Sequence, residues 1–209
     1  MPLNCSRLGL ALSFFLAAMA STAAHSQTDV ALSLYGTFND TTKYNIGLEH
    51  QTAANAAGGL FELRHISNPF VGYEATYSFN RANQEYVYTG PTPVGSGPGN
   101  NLASVSANAH QITGDWLFSF PAGKFRPFAL AGIGLELTEP VSGQSLTTRS
   151  NEPVYVYGAG LDWGLVPHFG FRFQYRGNVY KAPNITTAYG SNGGFTHTAE
   201  PMIGAYFKF

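Results

Sequence analysis

The closing stretch Thr198–Phe209, TAEPMIGAYFKF, narrows the fold more than any other part of the chain. Read back from the end, Phe209, Phe207, Ala205, Ile203 and Pro201 fall on one side. Lys208, Tyr206, Gly204, Met202 and Glu200 fall on the other. Alternation of period two is the pattern of a β-strand with one apolar and one polar face. A soluble domain has little use for an apolar strand that ends on Phe. A barrel immersed in lipid needs one, because its last strand must pair with its first and leave no open edge. Ile203, Phe207 and Phe209 are therefore expected in a barrel-closing strand, with seven similar strands before it.

Composition agrees. Only 11% of the 209 residues are charged, against roughly 25% in soluble domains, and aromatics reach 14%. Net charge is −1 with no basic stripe, which gives no reason to expect nucleic acid. Mean hydropathy is −0.07, far too low for a helical membrane protein. It suits a membrane barrel, in which only alternate residues meet lipid. The amino terminus reads as a cleavable leader: Arg7, an apolar core over Leu8–Ala20, then Ala24 and Ser26 spaced for cleavage before Gln27. That core is too short to span a bilayer as a helix. Residues 1–26 are thus expected to be removed and 27–209 to form the barrel. Cys5, the sole cysteine, lies in the leader, so no disulfide or thiol chemistry is expected in the mature chain.

The first strand is expected at Asp29–Phe38, with Val30, Leu32, Leu34 and Phe38 on one face and Ala31, Ser33, Tyr35 and Thr37 on the other. A polar stretch, Asn39–Ala57, precedes a second strand at Gly58–Ile66. The Ser67-Asn68-Pro69 turn leads into a third, Phe70–Asn80, where Val71, Tyr73, Ala75, Tyr77 and Phe79 alternate most cleanly. Arg81–Leu102 reads as a loop rich in Gly, Pro and Asn. The fourth strand, Ala103–Phe120, changes parity. Val105, Ala107 and Ala109 alternate first, then Ile112, Trp116, Phe118 and Phe120, which suggests a bulge near His110–Ile112. Pro121–Lys124 turns the chain into a fifth strand, Phe125–Thr138, and Glu139–Pro153 is polar again. A sixth strand at Val154–Gly164, a turn at Leu165–Pro167 and a seventh at His168–Tyr180 follow. Lys181–Gly194 is the last polar loop.

Two regularities emerge. The connections alternate long and short, as in up-and-down membrane barrels with short periplasmic turns and long outer loops. The aromatics also cluster at strand ends. Phe70, Trp116, Phe118, Phe125, Trp163, Phe169, Phe207 and Phe209 lie toward the short-turn end, and Tyr35, Phe38, Phe79, Tyr155 and Tyr180 toward the other. Rings at both levels are expected of amphipathic aromatics at headgroups. A β-sandwich core would explain the alternation but not the clustering.

From Asp29 to Phe209 the chain resembles the small eight-stranded outer-membrane barrels of the OmpA/OmpX and opacity-protein type. The strand meander, the HTAEPMIGAYFKF ending and FRPFALAGIG at the start of the fifth strand carry the likeness. It implies an all-β, eight-stranded antiparallel up-and-down transmembrane barrel in the cell outer membrane. It also implies contact with outer-membrane lipids and lipopolysaccharide, assembly through the C-terminal strand by the barrel-assembly machinery, and a monomer. These motifs speak to fold and location, not to activity.

The polar faces carry Glu62, Arg64, Glu74, Glu136, Asp162, Arg172, Arg176, Glu200 and Lys208. An eight-stranded barrel is narrow enough for side chains to fill it, and buried charges must pair. A lumen filled by a charged network is expected. The role expected is structural or surface-binding, through outer loops meeting an unidentified ligand; a small diffusion pore is the alternative. A lipid A-modifying hydrolase is a weaker reading, resting on His65-Ile66-Ser67 with Glu74 nearby. That pair needs mutual hydrogen-bond geometry to count, and Ser67 belongs to the turn. A secreted lipocalin-like binder would put the apolar face inside. His50, His110, His168 and His197 show no metal-ligand spacing, so no metal or cofactor is expected.

Overall fold

A computed structural model describes residues 26–44, 49–88, 101–144, 146–186 and 194–209. The leader expected over residues 1–26 lies outside the described residues, Ser26 apart. Among the described residues there are ten strands: β1 (Gln27–Asn39), β2 (Thr42–Tyr44), β3 (Glu49–Ala53), β4 (Ala56–Ile66), β5 (Val71–Tyr88), β6 (Asn101–Ser119), β7 (Phe125–Pro140), β8 (Ser150–Val166), β9 (Phe169–Lys181) and β10 (Phe195–Lys208). Eight of them form a ring. β1 pairs with β4, each later strand pairs antiparallel with the next, and β10 returns to β1. The closing seam sets Leu34 against Ile203 and Val30 against Phe207. The chain is thus a closed eight-stranded antiparallel barrel.

The alternation in the sequence becomes inside and outside. Leu32, Leu34, Phe61, Leu63, Ile112, Ile133, Leu135 and Ile203 are exposed on the outer wall, while Ser33, Glu62, Arg64, Thr113 and Arg172 are buried in the lumen. This apolar-out, polar-in arrangement is that of a membrane barrel and the reverse of a soluble lipocalin. Short turns join β4–β5, β6–β7 and β8–β9, so those ends are taken as periplasmic. The ring near them, from Phe70 and Trp116 round to Phe207 and Phe209, is exposed outward. At the outer level Phe38, Phe79 and Tyr155 also face outward, but Tyr35 and Tyr180 do not. Both are buried in the lumen, where the Tyr35 hydroxyl accepts from Asn80 at 3.3 Å and that of Tyr180 meets Thr198 at 3.2 Å.

Three expectations about the chain's course are corrected. The first long connection is not plain loop: β2 and β3 form a hairpin there, and β3 pairs with Gln84–Tyr88 of β5. Arg81–Leu102 is mostly strand at its ends, because β5 reaches Tyr88 and β6 starts at Asn101; the Gly/Pro-rich tip lies outside the described residues. β6 carries no bulge. Its register with β5 runs unbroken from Tyr88↔Asn101 to Val71↔Phe118. Val105 and Ala107 point inward on the same parity as Gln111 and Thr113, although they are apolar, because they pack with Tyr86 and Ile185 in the outer mouth. The register shift that is observed falls between Gly164 and Val166, at the β8–β9 turn.

Candidate functional site

The lumen is where the buried charges gather. Arg172 on β9 has no exposed surface and reaches carboxylates on three other strands. Its Nη2 donates to Asp29 of β1 at 2.9 Å, its Nη1 makes a short contact with Glu62 of β4, and its Nε donates to Asp162 of β8 at 2.7 Å. Arg64 of β4 donates to Glu74 of β5 at 2.7 Å and to Asp162 at 3.1 Å. Arg176 of β9 donates to Asp115 of β6 at 3.0 Å and lies 3.5 Å from Glu74. The two remaining barrel strands supply aromatic rings. The Arg64 guanidinium lies 4.2 Å from the ring centre of Phe128 on β7, and that of Arg172 lies 5.3 Å from Tyr206 on β10. All eight barrel strands therefore meet at this plug. Charge-assisted contacts of this kind are the strong class of hydrogen bond, and they offset the desolvation of buried ions only when several are made together.

Of the nine inward charges expected from sequence, Glu62, Arg64, Glu74, Asp162, Arg172 and Arg176 come together in these ion pairs. Glu136 and Glu200 do not; they stand further out, where Glu136 accepts from Gln111 Nε2 at 3.1 Å. Lys208 also stands apart at the periplasmic mouth, its Nζ 5.2 Å from the Tyr206 ring centre. Two members were missed. Asp29 shares its parity with Ser33 and Tyr35 at the very start of the strand. Asp115 lies on the face opposite Ile112, Trp116 and Phe118, so the alternation itself marked it as inward. Inward Gly132 of β7 lies beside Asp115, and a Cβ there would collide with the Asp115 carboxylate and with the backbone of Gly114.

The outer mouth is capped. Residues 182–186 fold inward, with Ile185 wholly buried. The Pro183 carbonyl accepts from Gln51 Nε2 at 2.8 Å, and the Ile185 carbonyl accepts from the Thr148 amide at 3.0 Å. Between cap and plug lies a polar cavity lined by Ser78, Asn80, Gln111, Glu136, Thr198 and Glu200, among others. Water-sized centres fit over only about 30 Å³ of it, room for a few ordered waters rather than a continuous column.

The hydrolase geometry is not formed. His65 Nδ1 bonds to Thr28 Oγ1 at 2.9 Å, and its ring lies tilted against that of Tyr73 with centroids 5.1 Å apart, so its contacts are with β1 and β5 rather than with Ser67. Other histidines are bonded rather than simply solvated: His110 Nδ1 to the Tyr77 hydroxyl at 2.8 Å, and His197 Nε2 to that of Tyr157 at 2.9 Å. Among the described residues no three His, Cys, Asp or Glu side chains are grouped to hold a metal.

An apolar outer wall, a closed hydrogen-bonded ring and a polar, ion-paired interior define an integral outer-membrane β-barrel. The sequence from residue 8 to 201 matches the family model for the outer membrane protein beta-barrel domain. The chain belongs to that family and resides in the outer membrane, its apolar wall in contact with lipid. No curated protein matches it. Solved structures with the same fold include Ail, the attachment invasion locus protein of Yersinia pestis, at 16% identity and a TM-score of 0.54, covering 88% of this chain and 99% of that one. Neisserial surface protein A is similar at 13% identity and 0.55, with coverage of 88% and 99%. OprG of Pseudomonas aeruginosa is similar at 12% and 0.56, covering 88% and 96%.

Proposed function

We propose that this barrel is a non-enzymatic envelope protein that holds an outer-facing surface in place for contact with a ligand or another cell. The observation that carries this reading is the extension of the sheet past the apolar band. β5 continues outward through Arg81, Asn83 and Glu85, which are exposed and polar, with β6 paired along one of its edges and β3 along the other. The lumen serves as the rigid base for that extension, with Arg172 joining β1, β4 and β8. Ail, whose fold is similar, is described as an attachment protein and was solved with a heparin analogue, sucrose octasulfate, which makes polysulfated glycans a reasonable first ligand class to try. In this reading the leader is removed before Gln27, the barrel-assembly machinery engages Ile203 and Phe207 of β10 and the Phe209 that follows it, lipopolysaccharide surrounds the barrel in the outer leaflet, and the protein acts as a monomer.

The test is display on a bacterium lacking other adhesins. Cells carrying the protein should bind immobilised host glycans or matrix proteins, and shortening the β5–β6 hairpin tip should abolish binding while the barrel still assembles. Binding that survives loss of every outer loop would refute the reading. The diffusion pore is the second reading, favoured by the polar lining of the outer cavity. Planar-bilayer recording separates the two, since a plugged and capped barrel passes no resolvable current steps.

A further inference from the structure

A larger cavity opens at the periplasmic mouth, where water-sized centres fit over about 320 Å³. The β6–β7 turn supplies Gly123 and Lys124 to its wall, and the barrel interior supplies Arg126, Asp162, Tyr206 and Lys208. Three cations thus face one space. The carboxylate among them is already engaged: Asp162 Oδ1 accepts from Arg172 Nε at 2.7 Å, and Oδ2 accepts from Arg64 at 3.1 Å and from Arg172 Nη2 at 3.2 Å. Among the described residues Lys124, Arg126 and Lys208 make no ion pair with any carboxylate. Arg126 Nη1 is buried without a hydrogen-bond acceptor, and Lys208 rests over the Tyr206 ring. A buried guanidinium N–H left unpaired is costly. An oxyanion would relieve it with charge-assisted bonds, and the planar Arg fork suits phosphate geometry.

We propose that the periplasmic mouth is a phosphate-binding site in which Arg126 and Lys208 hold the oxyanion and Lys124 closes the rim. The ligand class is a phosphate group, borne either by a lipid headgroup of the inner leaflet or by a soluble periplasmic phosphate. The site lies at the opposite end of the barrel from the outer surface proposed above and does not depend on it.

The test follows NMR signals of the Arg126 side chain and the Gly164 amide in full mature protein refolded in a maltoside detergent, which contributes no phosphate. Inorganic phosphate at constant ionic strength should give a saturable shift. Arg126→Gln and Lys208→Gln should each weaken it at least about tenfold, whereas Arg126→Lys, which keeps the charge but loses the fork, should weaken it less than Arg126→Gln does. Arg81→Gln, on the outer hairpin where Arg81 bonds to Asn108, should leave it unchanged. A second arm uses phosphatidylglycerol nanodiscs. A shift already present there without added phosphate assigns the site to a headgroup, and one that needs added phosphate assigns it to a soluble ligand. The proposal is overturned if sodium chloride at equal ionic strength reproduces the shift, if Lys208→Gln with an otherwise native spectrum binds undiminished, or if neither arm gives a shift.

Discussion

Arg176 on β9 and Asp115 on β6 meet at 3.0 Å across the lumen, both side chains fully shielded from solvent. Their strands are not neighbours in the sheet: β6 lies between β5 and β7, and β9 between β8 and β10. The pair therefore braces opposite walls. Glu74, shared between Arg176 and Arg64, passes the brace on to Asp162 and Arg172.

The hub of that chain should be the most sensitive point. Arg172→Met leaves Asp29, Glu62 and Asp162 without their common cation, and the loss should be about 3–5 kcal/mol. Arg149→Gln breaks a pair with Glu139 at 3.3 Å whose side chains are 74% and 42% exposed, and should cost less than about 1 kcal/mol. Urea titration of both variants refolded into one lipid compares them; equal losses would remove the special standing of the plug.

Gly132 should resist enlargement for a local reason. A side chain there displaces the Asp115 carboxylate and so loosens its grip on Arg176. Gly132→Val should destabilise by about 1–3 kcal/mol through overpacking. Pairing it with Asp115→Ala in a double-mutant cycle should show coupling, because the two changes act on one contact. Strict additivity would contradict the steric account.

The assignment of lipid and lumen faces is tested on β5. Ala75 is exposed on the outer wall, and its neighbour Thr76 is buried, 2.7 Å from Thr113 Oγ1. Ala75→Arg puts a charge near the bilayer midplane and should cost about 2–4 kcal/mol. Thr76→Asn keeps a polar group in the lumen and should cost less. A milder effect from Ala75→Arg, read by the same urea titration, would mean that the apolar wall is not in lipid.

Orientation has its own experiment. An epitope inserted between residues 89 and 100 should be reached by antibody on intact cells, since exposed loop tips accept insertions. The same epitope in the Pro121–Lys124 turn should be reached only after the outer membrane is permeabilised. The opposite result would invert the barrel.

The ring was readable because lipid enforces a rule that repeats every two residues. Leu32, Leu34, Ile203 and Phe207 obey it, and so do Ser33 and Arg172 between them and their neighbours. The rule fails where the strands leave the bilayer. Val105 and Ala107 are apolar yet inward, since what they meet is Ile185 of the cap rather than acyl chains. Tyr35 and Tyr180 keep the inward parity of Ser33 and Asn178; what fails there is the expectation that every aromatic near a strand end joins the outward ring. The cap itself joins residues 183–186 to Gln51 and Thr148, contacts distant in sequence and without period. Within the plug, residue type and parity named six of the ion-paired charges. Which arginine served which carboxylate depended on the stagger between strands, and that only the closed register reveals.

The seam between β1 and β10 also fixes an order of events. β1 gains its second edge partner only when the last strand arrives, and Asp29 reaches Arg172 only once the ring is shut. Pairings so distant along the chain form late and slowly. Closing the sheet and completing the plug are therefore a single event, since the pairing that removes the edges of β1 and β10 also brings Asp29 to Arg172.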